Sequence, residues 1–424
     1  MQLPYITLLG KAVRKIALLR GGGSALPGLF IETIDPAFTK RTLGQLPQGV
    51  VIISGTNGKT TTTKMTVELL ESQGLKVFTN RTGSNFTRGV AAALLAEVDN
   101  KGNLKADIAV LELDEAHAVQ FIKTIPPRYS LLLNVMRDQL DRFGEIDTTA
   151  KLLAKIAAST TETVVLNRED PRVANIAALL GNQTVTYFGL SPKLISLFPS
   201  DDDMHSKSAA SSRSPLPADV ILSDLNDTMA KFTLGDHNVS TTLELKGIYN
   251  VYNAAAALAL ARTIVGSGVD EAKLIDALAH VTPAFGRGET LTVDGLPLEI
   301  VLVKNPSGFR LSLSSFKPDD YHTMIAINDN YADGRDMSWL WDVDFASLRK
   351  TGVSTVSGVR AYDMTLRLQY DEVTTSYVDT ALSASLQHFI TSGSGKPKRI
   401  FCTYTAMLAL RRELAKITDV ETIS

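Results

Sequence analysis

Residues 54–61 read Ser-Gly-Thr-Asn-Gly-Lys-Thr-Thr, directly after the apolar run Val50–Ile53 and directly before the helix-forming run Thr62–Ser72. A glycine-rich turn between a strand and a helix can wrap a polyphosphate, because backbone N–H groups and the helix N-terminus converge on the anion. Gly55, Thr56, Asn57, Gly58, Lys59, Thr60 and Thr61 would form that cradle. The glycines allow the backbone to approach closely. Lys59 would neutralise the β- and γ-phosphates, and the Thr60 hydroxyl could ligate Mg²⁺. Ile53 stands where the first glycine of the common Walker A spacing would be, so this is a shorter variant of the motif.

Other chemistry-bearing residues are less self-explanatory. Glu112-Leu113-Asp114-Glu115 follows an apolar strand-like run. Ligands of open α/β sheets collect at such strand ends, although a solvated acidic loop would read the same way. Asp333-Gly334-Arg335-Asp336-Met337-Ser338-Trp339-Leu340-Trp341-Asp342 holds both tryptophans of the chain. Tryptophan is enriched at interface hot spots, and the alternative is a capped loop over two core rings. The one cysteine, Cys402, lies in the strand-like run Arg399–Tyr404, so it reads as a buried structural thiol. A lone cysteine excludes a disulfide framework and a cysteine-cluster zinc site. The six histidines are scattered without metal-ligand spacing.

These residues need elements to position them. From residue 49 onward, apolar strand-like runs alternate with helical stretches, which predicts an α/β fold with a mainly parallel sheet. Residues 191–218, rich in Ser, Asp and Pro, read as a mobile surface insertion, and short alternating runs after them predict a few antiparallel strands. Residues 251–265 are so rich in alanine that the helix they form must pack closely on a neighbour. A second α/β unit begins near residue 292, with a hinge at 286–289. The resulting division is an N-terminal helix and connector (1–45), a central domain (46–290) and a smaller Rossmann-like C-terminal α/β domain (291–424). Residues 4–20 predict an amphipathic helix with Lys11, Arg14, Lys15 and Arg20 on one face; that face is solvated while the apolar face packs, and the alternative is that it touches anionic lipid.

The chain has 424 residues, 43 basic against 45 acidic side chains, and is 44% hydrophobic. That balance gives no support for nucleic-acid binding. No apolar run approaches the ~18–20 residues that span a bilayer, so an integral membrane protein is not expected. The cytoplasm is the expected compartment.

The short Gly-Thr-Asn-Gly-Lys-Thr form resembles the Mur ligase superfamily, whose members join an amine to a carboxylate using ATP. Thr79-Asn80, Gly83-Ser84-Asn85, Glu112 to Glu115, the run from Asn134 through Asp147, Asn167 to Asp170, Tyr249 to Ala254 and Gly286-Arg287 look like its central ATPase domain. Lys304-Asn305-Pro306-Ser307-Gly308 and Asn328 through Asp336 are similar to the MurT family, the ligase subunits of lipid II isoglutaminyl synthase. The resemblance covers nearly the whole chain outside 191–218 and its flank. It implies ATP and Mg²⁺, a separate glutaminase subunit (GatD) supplying ammonia, and amidation of the D-glutamate α-carboxylate of lipid II through an acyl phosphate. Work at the inner face of the plasma membrane follows from that substrate.

The resemblance also implies residue roles. Glu112 would join Thr60 on Mg²⁺, and Asn85 would contact the metal or phosphate. Asn253 would meet the adenine or ribose side, unless it is only a helix N-cap. Arg287 and Lys304 would face the γ-phosphate and the developing acyl phosphate, or form surface ion pairs. Asp336 would complete the Cys–His pair of the glutaminase in trans. Catalytic roles thus fall on Lys59, Lys304 and Asp336. Two departures stand out. No local pattern fixes either Lys151 or Lys155 as a carbamoylated lysine, and the four-cysteine zinc ribbon of many MurT proteins is absent, so no zinc is expected. The rivals are a stand-alone amino-acid ligase of the folylpolyglutamate synthase kind and a nucleotide-driven switch.

Overall fold

The computed structural model describes residues 4–19, 25–80, 86–136, 146–198, 216–226, 229–245, 247–282, 287–316, 319–393 and 395–420. Nine strands form the first sheet: β1 (Val50–Ser54), β2 (Val77–Thr79), β3 (Ile108–Glu112), β4 (Tyr129–Leu132), β5 (Thr163–Asn167), β6 (Thr184–Leu190), β7 (Val220–Asn226), β8 (Met229–Leu234) and β9 (His237–Thr242). Their spatial order is β2-β3-β1-β4-β5-β6-β7-β8-β9. Pairings from β2 to β7 are parallel; β8 and β9 close the edge as an antiparallel meander.

Parallel strands are buried on both faces and therefore read as continuous apolar runs. In β1, Val51 and Ile53 enter one core while Val50 and Ile52 enter the other. The first core is covered by the helices Lys59–Ser72 and Ile248–Val265. The alanines of the second helix are buried from Ala254 to Ala257, as their small side chains require for close approach. The second core is covered by the helices Ala25–Ile34, Thr87–Glu97 and Ile146–Ser159.

A second sheet contains β10 (Arg287–Val293), β11 (Leu296–Leu302), β12 (His322–Ala326), β13 (Val353–Ser357), β14 (Thr375–Asp379) and β15 (Lys398–Cys402), in the order β10-β11-β15-β12-β13-β14. It is parallel except for the β10–β11 hairpin. Asp294 and Gly295 both have positive φ there (51° and 75°), the conformation that a tight two-residue hairpin demands. The stretch expected to hinge at 286–289 is strand from Arg287 onward, so this sheet begins upstream of residue 291.

Two further expectations are corrected. Residues 192–197 of the supposed mobile insertion form a short 3-10 helix, with Leu194 and Phe198 buried. The Phe198 ring lies 5.0 Å from that of Tyr249 and 5.2 Å from that of Tyr252. Those two apolar side chains, four apart, outweigh the Ser- and Pro-rich composition. Residues 199–215 lie outside the described residues. The N-terminal helix Pro4–Leu19 is also turned the other way. Thr7 and Gly10 face inward, while Leu8, Leu9 and Ile16 face solvent. The helix approaches closely there: a Cβ at Gly10 would lie 2.9 Å from Leu95 Cδ2, so a larger residue would have to displace that leucine.

Helix Ala25–Ile34 packs just as tightly on helix Thr87–Glu97, where a Cβ at Gly28 would overlap the Arg88 carbonyl oxygen. Helix propensity alone would make Gly28→Ala stabilising by about 1 kcal/mol. The overlap reverses the sign: urea unfolding should show a loss of about 1–3 kcal/mol.

Candidate functional site

The loop that follows β1 is built by backbone geometry. Gly55 has φ 134° and Gly58 has φ 90°, a region that side-chain-bearing residues rarely adopt. A Cβ at Gly55 would be 3.0 Å from Asn134 N, and one at Gly58 would be 2.6 Å from Asn253 Oδ1. The segment after β4 clamps the loop. Thr56 N donates to Asn134 O (3.0 Å), Asn57 N donates to Asn134 Oδ1 (2.9 Å), and Asn134 Nδ2 donates to Asn57 O (2.9 Å). The Thr56 hydroxyl accepts from Met136 N at 3.0 Å.

Helix Lys59–Ser72 starts at the loop's end. The buried Lys59 ammonium donates to Gly55 O at 2.5 Å and lies 3.5 Å from Glu115 Oε1. That Glu115 oxygen is buried and accepts no hydrogen bond. Thr60 Oγ1 donates to Glu112 Oε1 at 2.8 Å. Asn80 fixes Glu112 by exchanging two bonds with its backbone, at 2.8 and 3.0 Å. The acidic run is therefore not a solvated loop: Glu112 and Glu115 are buried, and Asp114 caps the following helix by accepting from Ala116 N.

A hydroxyl and carboxylates at one strand end are hard oxygen donors. Mg²⁺ typically takes one or two carboxylates and completes its shell with phosphate and water. The Thr60–Glu112 pair and the orphaned Glu115 oxygen fit such an ion. Among the described residues there is no cluster of three or more His, Cys, Asp or Glu side chains that could hold a metal by itself.

A second layer holds the clamp. Asn167 Nδ2 donates to Leu133 O (2.8 Å), and Tyr252 OH donates to Asn167 Oδ1 (2.5 Å). The Asp170 carboxylate accepts from Val135 N (2.7 Å) and caps helix Pro171–Ala174. Burial pushes its carboxyl up to about 6.

The second domain reaches the same loop. Lys304 Nζ donates to Thr56 O at 3.1 Å, and Asn305 Nδ2 donates to Asn57 Oδ1 at 3.1 Å. Asn305 Oδ1 caps helix Pro306–Ser315 through Gly308 N (2.6 Å). Between the two domains lies a cavity of about 150 Å³, lined by Gly58, Asn134, Asn253, Lys304, Leu311 and Phe316 among others. Asn253 is not an N-cap, since its helix begins at Ile248 with Gly247 in that position. Leu311 and Phe316 went unforeseen, because apolar cavity walls carry no motif.

The remaining sequence-predicted residues divide. Asn85 lies outside the described residues, as do 137–145 of the run from Asn134 through Asp147. The Arg287 backbone opens β10; its side chain is outside the described residues. Lys151 and Lys155 are exposed. Asp336 does not line the cavity. It lies half-buried in the loop after β12, its Oδ1 accepting from Ser338 N at 2.9 Å, and this bonding holds the carboxyl below its usual range. Its neighbour Asp333 anchors the loop to Thr405 N (2.7 Å). Trp339 is buried, whereas Trp341 is 47% exposed. Cys402 is fully buried and its thiol is pushed far up by desolvation, so it offers no thiolate nucleophile.

Comparison with known proteins gives two family matches. Residues 53–261 match the Mur ligase middle domain and residues 302–407 the MurT ligase C-terminal domain. The lipid II isoglutaminyl synthase (glutamine-hydrolyzing) subunit MurT of Streptococcus pneumoniae is 30% identical, over 96% of each chain. The protein of the same description from Staphylococcus aureus is 29% identical over 86% of this chain and 87% of that one. Among solved structures, the fold is shared with MurF ligase from Thermotoga maritima in complex with ADP (TM-score 0.67, 18% identity, 90% of this chain and 84% of that one). It is also shared with a pseudomurein peptide ligase type C from Methanothermus fervidus (TM-score 0.68, 20% identity, 90% and 81%).

The loop geometry generates a binding prediction. Gly58→Ala must place a side chain at φ 90° and against Asn253. A cost of about 1–3 kcal/mol in the loop should lower the affinity for ADP with Mg²⁺ roughly tenfold or more by calorimetry. Unchanged affinity would put the phosphates elsewhere.

Proposed function

The chain belongs to the MurT family of Mur ligases, and from that premise we propose that it amidates the α-carboxylate of D-glutamate in the stem peptide of lipid II. It is a ligase of peptidoglycan biosynthesis with a nucleotide-binding Mur ligase fold. The proposal extends this to the nucleotide, the intermediate, the nitrogen source and the roles of single residues. The observation that carries it is the meeting of Lys304 and Asn305 from the second domain with Thr56 and Asn57 of the phosphate-binding loop.

A carboxylate is a poor electrophile. In the proposed first step, an oxygen of the D-glutamate α-carboxylate attacks the γ-phosphorus of ATP, and ADP leaves. In the second, ammonia attacks the acyl carbon, the bond to the phosphate oxygen breaks, and phosphate departs with the amide formed. Negative oxygens must be brought together in the first step, so electrostatic stabilisation and positioning dominate. Gly55, Thr56, Asn57, Gly58 and Thr61 shape the cradle. Lys59 would exchange its Gly55 carbonyl partner for phosphate oxygens and move no backbone in doing so. Lys304 is held at the loop's edge for the transferred phosphoryl group, with Arg287 as a second cation from the same domain. Thr60 and Glu112, with Asn85, would hold Mg²⁺, which neutralises phosphate charge when bound. Asn253 would meet the nucleoside side of the cavity.

Buried Cys402 cannot release ammonia from glutamine, so the nitrogen would be free ammonia or the product of a separate subunit, and the family resemblance favours a separate glutaminase of the GatD kind. The name "subunit MurT" of the relatives supports a partner subunit. Asp336 would complete that partner's Cys–His pair, fixing the imidazole tautomer and stabilising its charged form. A lipid-anchored acceptor puts the work at the inner face of the plasma membrane. Among the described residues no helix is long and apolar enough to cross a membrane.

The test is amidation of lipid II read by mass spectrometry, with either glutamine plus the glutaminase or ammonium as nitrogen source. Asp336→Asn should lose about 10³–10⁴-fold of glutamine-dependent turnover, the scale of a missing triad carboxylate, and keep ammonium-dependent turnover. Chelation of Mg²⁺ should abolish both. ATP consumption dependent on an added amino acid, with no amidation from either nitrogen source, would overturn the reading in favour of a stand-alone amino-acid ligase.

A further inference from the structure

Leu8, Leu9, Ile16, Leu26, Leu29 and Ile34 are each between 39% and 56% exposed, and all belong to the first two helices. These helices pack against each other and against helix Thr87–Glu97, so their outer sides share one end of the molecule. Leu8, Ala12 and Ile16 follow at spacings of four, which makes one continuous stripe along helix Pro4–Leu19. Lys15 lies exposed beside that stripe, whereas the Lys11 ammonium turns inward and donates to Val98 O at 2.5 Å. The charge here is one-sided. Helix Pro4–Leu19 carries Lys11, Arg14 and Lys15 and no acidic residue, and the one acid of helix Ala25–Ile34, Glu32, is paired with Arg88 at 3.8 Å.

We propose that the outer face of these two helices docks onto an anionic lipid bilayer. An apolar stripe beside a cation is the pattern of a helix lying in a membrane interface: the leucines enter the acyl boundary and the Lys15 ammonium meets lipid phosphate. Local charge complementarity, not overall charge, selects this occupant. The inference rests on the proposed lipid-anchored acceptor. Docking would confine the active site to the plane in which that acceptor diffuses. The inward side of helix Pro4–Leu19, built from Thr7 and Gly10, leaves its apolar side chains available for this purpose.

The experiment is co-sedimentation of the full chain with vesicles of phosphatidylglycerol and phosphatidylethanolamine, or of phosphatidylcholine alone, none containing lipid II. Wild type should pellet with the anionic vesicles and stay in the supernatant with the neutral ones. L8N/L9N/I16N should lose binding at least tenfold. K15Q should weaken it about fivefold, and salt should do the same to wild type. These positions are exposed or half-buried, and circular dichroism checks that both variants fold. Wild type that ignores anionic vesicles, or L8N/L9N/I16N that pellets as wild type does, overturns the proposal. So does sedimentation velocity showing a wild-type dimer that L8N/L9N/I16N dissociates, since the face would then cover a second copy. Amidation of a lipid-free stem peptide, run in parallel, separates the two readings. Turnover without vesicle binding removes the docking face alone, and binding without turnover removes the amidation reading alone.

Discussion

The backbone of residues 55–58 must stand open to an anion, and a loop of that conformation does not hold itself. Two of its four residues have positive φ, and the N–H groups of Thr56 and Asn57 donate to Asn134, outside any helix or ladder. Its rigidity is borrowed. β1 sits at the middle of the sheet, between β3 and β4, so the loop emerges where neighbouring strands end on both sides. Asn134, just beyond β4, grips it from one side with a backbone carbonyl and both ends of its amide. Glu112, at the end of β3, grips Thr60 from the other. The second layer of Asn167, Tyr252 and Asp170 then fixes the clamp itself. A parallel sheet with its cores on both faces is what makes such a chain of fixed points possible.

The same constraint explains the relation between the domains. Lys304 and Asn305 donate to two loop groups, a carbonyl and an amide oxygen, and Asn305 is itself fixed because its other amide end caps helix Pro306–Ser315. A single residue thereby couples the start of a helix in one domain to the anion-binding loop of the other. Domain closure and loop shape become one variable, a useful property where two substrates must meet in a space that excludes water.

Most of this was legible in the sequence, and the failures have a common cause. Runs such as Val50–Ser54 and Ile108–Glu112 identify buried parallel strands, because burial on both faces erases alternation. The loop 54–61 is legible because glycine, lysine and threonine at fixed spacing have few other uses. Leu311 and Phe316, which wall the cavity, look like any core positions, since nothing local reveals a gap beside them. The orientation of helix Pro4–Leu19 was misread for a related reason. Amphipathicity says that two faces differ, but which one turns inward depends on the neighbour, and here the methyl groups of Leu95 and Ile31 come close to Gly10. The 191–198 segment reverses its composition through two residues, Leu194 and Phe198, which composition averages away.

The distribution of nucleophiles and carboxylates argues for divided labour. The ligase cleft is rich in cations and hard oxygens, whereas the only thiol of the chain is sealed in the second domain's core beneath Val301. Glutamine hydrolysis therefore has no home in this polypeptide. Yet the loop carrying Asp336 is built with care: Asp333 ties it to Thr405, Gly334 turns it at φ 85°, and Ser338 orients the carboxylate. A carboxylate so oriented, kept ionised by its hydrogen bonds and half-open to the surface, has no evident task within its own domain. The exposed Trp341 six residues after the turn's Tyr331–Arg335 core, itself packed edge-on to Tyr370, gives the same region a rigid aromatic contact of the kind protein interfaces favour. In the proposed complex, a carboxylate prepared in one chain and used in another would make the partner's chemistry depend on assembly, so that ammonia would be released only where a ligase is present to consume it.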